Sequence, residues 1–187
     1  MDNAASDAQA GTGESDSAGG GEPPPPSAGT SATGLCHVEI ALAAPMSTAD
    51  RDWLADHAER ATKSLDATGE CRVRIVGDAE MARLHGEHLD DPTTTDVLTF
   101  DLSGGGSIRT RELDVDLVLC LDAATRQAGE LGHEPRRELL LYLVHGLLHC
   151  LGHDDTDEQS FERMHAEEDR VLIDIGVGAT FDPERAS

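Results

Sequence analysis

The residues best suited to chemistry are His145 and His149, four positions apart in the run His145-Gly146-Leu147-Leu148-His149-Cys150-Leu151-Gly152-His153-Asp154-Asp155. Residues at i and i+4 share one face of a helix, so two imidazoles there can reach one metal ion at about 2.0–2.1 Å each. Gly152 can take the left-handed conformation that stops a helix. The chain then turns back, and a side chain two or three residues later can complete the site. Three protein ligands leave a position open for metal-assisted hydrolysis, and a mixed nitrogen and oxygen donor set favours zinc. Zinc proteases carry their general base inside H-E-x-x-H. Here Gly146 takes that place, so a protease would have to recruit its base elsewhere.

These histidines need a helix to align them and a fold to hold it. Pro135, a favoured first-turn residue, opens a long apolar helix that Gly152 ends. Before it, Leu35–Ala43, Cys71–Val76, Asp96–Leu102 and Leu113–Leu121 alternate in polarity and read as strands. Helices are expected over Ser47–Ser64, Asp78–Leu89 and from Asp122 to Gly129 or Gly132, with Gly69-Glu70 as a turn. A capping-box pattern at Thr156 and Gln159 opens a last helix to about Ile175. The expected fold class is α/β (α+β): a single mixed sheet of about four strands, packed with about five helices, with the metal site at the end of a core helix.

Residues 1–34 are rich in Gly, Ser, Ala and Pro and hold no Leu, Ile, Val or aromatic residue. Such a segment cannot bury enough apolar surface to order itself, so a disordered tail is expected before one domain over 35–187. Nothing resembles a signal peptide or a membrane span, and the expected compartment is the cytoplasm. The formal net charge is −23, which repels phosphate backbones at long range and argues against a generic nucleic-acid binder. A nucleic-acid enzyme of this composition needs a metal or local positive charge at its site. Cys36, Cys71, Cys120 and Cys150 form no C-x-x-C pair and read as buried free thiols. Cys150 points about 100° away from His149 on a helix.

The run His145 to Asp155 resembles the signature H-G-x-L-H-L-x-G-[YH]-D-H of the YbeY family, bacterial metal-dependent endoribonucleases of ribosomal RNA maturation. Thr95-Asp96-Val97-Leu98-Thr99-Phe100 is similar to the family's P-T-D-V-L-S-F strand. Val115-Asp116-Leu117 stands where the family has G-D-I. Gln127-Ala128, Met164 and Glu168 also fit. The resemblance implies a zinc-dependent, single-strand-specific endoribonuclease acting in 16S rRNA 3′-end maturation and ribosome assembly or quality control. Its implied partners are the 16S precursor, the small ribosomal subunit and an assembly GTPase, with no membrane and no DNA. Two positions depart from the pattern. The family's third histidine ligand is Asp155 here, a sound zinc ligand, with His153 as the rival. An arginine assigned to substrate binding or catalysis is Leu89 here, and Arg72, Arg74, Arg109 or Arg136 would have to supply its charge.

His145, His149 and Asp96 are therefore the catalytic candidates, with Asp96 orienting a ligand or the substrate. The metal ligands are His145, His149 and Asp155. His85 and His88 stand where they could border the cleft, whereas His133 and His165 read as surface residues. The alternative to a nuclease is a non-catalytic, metal-containing assembly factor, motivated by Leu89.

Overall fold

A computed structural model describes residues 34–180, apart from Asp90 and Gly106 and the side chains of Leu89 and Ser107. The expected tail, Gly34 aside, lies outside the described residues. Within them the chain runs β1 (His37–Leu42), α1 (Thr48–Ser64), β2 (Thr68–Val76), α2 (Asp78–Leu89), β3 (Val97–Asp101), α3 (Ser107–Thr110), β4 (Glu112–Cys120), α4 (Leu121–Leu131), α5 (Pro135–Cys150) and α6 (Glu158–Asp174). The strands form one sheet in the order β1-β2-β4-β3. β1 and β2, and β2 and β4, are parallel, while the edge strand β3 runs antiparallel to β4. The mixed four-stranded sheet is the one expected. The extra helix, α3, spans 4 residues, too few to leave a periodic signal.

Two local readings are corrected. Gly69 and Glu70 do not form a turn but lie inside β2. Gly69 has φ +98°, and a Cβ there would stand 2.1 Å from the Leu113 carbonyl oxygen. The glycine lets the β4 backbone approach rather than reversing the chain. The capping box of α6 is built one residue later than expected, by Asp157 and Ser160. Asp157 accepts a hydrogen bond from Ser160 N, and Asp157 N donates to Ser160 Oγ.

The sheet divides the apolar side chains between two faces. Cys71, Val73 and Ile75 of β2 and Leu113, Val115, Leu117 and Leu119 of β4 join the main core with residues of α1, α5 and α6. On the opposite face a smaller cluster of Val76, Met81, Leu98, Val118 and Cys120 is covered by α2. Beyond α2 that face carries charge: Arg72 pairs with Glu70, Asp114 and Asp116, and Arg74 with Glu80.

The helix carrying the histidine pair is the most enclosed element. From Glu138 to Cys150 every residue is buried except His145 and His149. Gly146 fits it to the sheet, because a Cβ at that position would lie 2.8 Å from both Leu117 Cδ2 and Thr99 Oγ1. The position has no room for the glutamate of an H-E-x-x-H protease.

Gly69→Ala should cost about 2–3 kcal/mol through a strained positive φ and the Leu113 contact, lowering Tm by roughly 5–10 °C. Thermal unfolding followed by circular dichroism checks this, and an unchanged Tm would show that the two strands do not constrain Gly69.

Candidate metal centre

The last turn of α5 sets up the site. Leu151 caps the helix and Gly152 takes φ +90°. Gly152 N donates to His149 O at 3.0 Å and His153 N donates to Leu148 O at 3.0 Å. This is the paired 6→1 and 5→2 closure of a Schellman motif, and it reverses the chain over the helix end. Asp154 then shapes the return. Its Oδ1 accepts from Asp155 N and Thr156 N, and its Oδ2 accepts from Thr156 Oγ1. These bonds, the Thr156 hydroxyl foremost, hold the Asp154 pKa below the usual carboxylate range.

The turn delivers Asp155 to the two imidazoles. His145 Nε2 and His149 Nε2 are 3.0 Å apart. Asp155 Oδ2 lies 4.0 Å from the first and Asp155 Oδ1 3.9 Å from the second. Ligand atoms of the three residues fall within 4.8 Å of one another, the one such group of three among the described residues. Four ligands at about 2.1 Å from a tetrahedral ion are separated by about 3.4 Å, so the observed spacings bracket a zinc-sized site. The His153 ring is not part of the group. What His153 contributes is its backbone carbonyl, 3.2 Å from His149 Nδ1.

The outer nitrogens decide how the inner ones behave. His145 Nδ1 lies 2.7 Å from Oε1 of Glu168, a side chain only 1% exposed. A carboxylate and a backbone carbonyl can only accept, so both rings carry a proton on Nδ1 and turn Nε2 inward. Two inward nitrogens 3.0 Å apart need either a shared proton or a metal ion between them. The donor set therefore fits a divalent metal, with Glu168 and the His153 carbonyl fixing the ligand rings. Burial of the His145 ring pulls its pKa down, but the Glu168 carboxylate, with Asp155 and Asp96, outweighs this and holds it above the ordinary imidazole value.

Asp96, just before β3, is exposed and lines a cleft of about 630 Å³ together with His145, His149, Thr95 and His88. Its Oδ1 accepts from Thr95 Oγ1 at 3.1 Å and Val97 N at 2.8 Å. Asp96 and His145 also line a second cleft of about 360 Å³ with Tyr142, His165 and Glu168. Of the other singled-out residues, His85 binds the Thr93 carbonyl instead of lining the larger cleft. Arg72, Arg74, Arg109 and Arg136 do not line it either; Arg136 pairs with Asp50 and Glu134. Cys150 is a buried free thiol whose pKa burial pushes up to about 11, unsuited to ligation.

Sequence reasoning missed the support around the ligands. His165, expected on the surface, is 15% exposed in its side chain and places Nδ1 2.7 Å from Glu168 Oε2, so one buried carboxylate serves two histidines. His133 likewise sits against the buried Glu138, 2.8 Å away. The available signal was an acid inside an apolar stripe: Met164, Glu168, Val171 and Leu172 share the buried face of α6.

Glu168→Gln should weaken zinc binding by about 10–100-fold while leaving the fold intact, since it removes the charged acceptor of His145 Nδ1. Asp155→Ala should abolish stoichiometric zinc, and His153→Ala should retain it. Competitive chelator titration of the three variants reads both; retained zinc in Asp155→Ala together with loss in His153→Ala would reverse the ligand assignment.

Comparison with known proteins places the chain. Residues 43–176 match the family model described as Endoribonuclease YbeY. A protein of that name from Micrococcus luteus is 36% identical over 110 residues, covering 57% of this chain and 70% of that one. The Finegoldia magna protein is 33% identical, with 60% of this chain and 72% of the relative covered. The one from Halorhodospira halophila is 38% identical, covering 58% and 72%. A solution structure of a Thermotoga maritima protein superposes with a TM-score of 0.50 at 22% identity, covering 72% of this chain and 89% of that one, a likeness of fold. With the family match spanning most of the described residues, this chain belongs to the YbeY endoribonuclease family.

Proposed function

We propose that this chain is a zinc-dependent endoribonuclease that cuts single-stranded RNA and acts in 16S rRNA 3′-end maturation and ribosome assembly. The observation that carries the reading is the cluster of His145, His149 and Asp155 donor atoms, whose two imidazoles line an open cleft. The relatives' name supplies the substrate class. The small ribosomal subunit and an assembly GTPase are the partners of this reading, and 35–187 is the part of the chain that performs it.

His145, His149 and Asp155 would hold the ion. When bound, zinc supplies Lewis-acid chemistry, acidifying water and drawing charge from a phosphoryl oxygen. The remaining requirements fall on the chain. Hydrolysis of a phosphodiester needs an acceptor for the proton of the attacking water. Asp96 is an exposed carboxylate on the same cleft, oriented by two hydrogen bonds to its Oδ1, and serves as that acceptor. Glu168 keeps the proton of His145 on Nδ1, away from the reacting side.

A non-catalytic, metal-containing assembly factor is the second reading. It is favoured by the cleft lining, in which none of the described side chains is Lys or Arg.

Zinc-loaded chain should cut single-stranded RNA, and His145→Ala should not. Equal trace cleavage by both would overturn the nuclease reading in favour of the second. Asp96→Asn should lower kcat by about 10²–10⁴-fold with zinc affinity unchanged. Single-turnover kinetics beside chelator titration checks it, and unaltered kcat would remove Asp96 from the reaction.

A further inference from the structure

The metal cleft is lined by two aromatic rings as well as by the ligand imidazoles. His88 stands in the last turn of α2 and Phe100 on β3. Their ring centroids are 4.8 Å apart at an interplanar angle of 64°, an edge-to-face pair. Phe100 is half-buried and packs against the apolar cluster under α2, so it is held in place from behind. His88 is exposed. The sequence has 1 Trp, 1 Tyr and 3 Phe, and one of these few rings lies beside the metal ligands.

Charge sharpens the meaning of this pair. A protein that grips RNA by its backbone lines the path with Lys and Arg. Here no described side chain of the cleft is either, and Asp96 adds a negative charge. The arginines of the open sheet face do not substitute, because Arg72 and Arg74 are engaged with Asp114, Asp116, Glu70 and Glu80. Apart from the ligand imidazoles and Asp96, the cleft offers a polynucleotide the rings of His88 and Phe100, the hydroxyls of Thr95 and Thr99 and the aliphatic Val97 and Leu98.

We infer that His88 and Phe100 form a stacking subsite that takes one unpaired nucleobase of single-stranded RNA beside the bond to be cut. The inference rests on the endoribonuclease reading and supplies its substrate selection. A base within a duplex has both faces covered by its neighbours and cannot enter; a splayed base can. Stacking is tolerant of base identity, since every base has a π-face. Binding through this subsite depends little on salt, because few counterions are released.

The test uses full-length, zinc-loaded chain and a short single-stranded RNA carrying one 2-aminopurine, whose fluorescence is quenched on stacking. Rapid mixing reads binding before cleavage, and the same reactions give KM and kcat. Wild type should quench the probe. His88→Ala should weaken binding and raise KM about tenfold or more, with kcat within about twofold and zinc content unchanged. His88→Phe should restore binding, because the ring and not the imidazole nitrogen is required. Phe100→Leu should resemble His88→Ala, and the exposed position 88 decides the matter if Phe100→Leu unfolds. Unchanged quenching and KM in His88→Ala would overturn the subsite, as would failure of His88→Phe to rescue it. If wild type quenches the probe but cuts nothing, the nuclease reading falls while the subsite stands. If wild type cuts with no quench at any probe position, the subsite falls while the nuclease reading stands.

Discussion

Two imidazole Nε2 atoms are made to face each other across 3.0 Å, and much of the fold exists to keep them there. Each ring is turned inward by an acceptor on its outer nitrogen, one from α6 and one from the loop after α5. Left alone, such a pair would rotate apart or share a proton. Here those outer hydrogen bonds oppose rotation. The helix beneath is buried along its length, and Gly146 seats it against Leu117 and Thr99 without slack. The packing thus keeps two nitrogen donors converging on one point, where a proton or a metal ion can be held. That is why a site of three side chains draws on α5, α6, the sheet and the returning loop together.

The carboxylate at position 155 changes the balance of this site. A third imidazole would leave a divalent ion with its full charge, whereas Asp155 removes one unit of it. An ion held there would be bound more firmly by electrostatics and would be a weaker acid toward water and phosphate. Glu168 pushes the same way through His145 Nδ1, since a charged acceptor raises ligand basicity. Holding the metal and activating the substrate therefore pull in opposite directions. A second oxygen acid at the cleft, Asp96, can compensate on the side of the water by accepting its proton.

Much of this was legible in the residues. The alternation of Leu113, Val115, Leu117 and Leu119 gave β4, and Pro135 with Gly152 bracketed the metal helix, because burial on one face and helix termination are local events. Gly69 was misread because its conformation answers to a neighbouring strand distant in sequence, not to its own neighbours. His165 was assigned to the surface for a related reason. Its partner Glu168 is one turn away, but the burial of that carboxylate is created by α5 packing over α6. Family likeness fixed the order of blocks along the chain, yet it could not say whether Asp155 or His153 returns to the two imidazoles. That depended on the left-handed Gly152 and on Asp154 tying the next two amides.

The remaining constraint is the charge of the chain itself. A polynucleotide approaching a protein of net charge −23 meets repulsion before it meets any site. Several of the arginines that might offset this are paired at the surface with the protein's own acids: Arg83 with Glu80 and Glu87, Arg126 with Asp78, and Arg170 with Glu167. Long-range steering then cannot be the basis of recognition. What is left would act at contact distance: the charge of a metal held by the proposed ligands, the ring pair and backbone geometry. Such forces distinguish an unpaired, accessible segment from the bulk of a folded RNA, because contact must be made with the base itself. An acidic enzyme built this way gives up rapid, indiscriminate capture of RNA. On the proposed function, such a surface would be quiet toward the many duplex phosphates that a basic one collects, and action would be confined to the strands that can reach into the cleft.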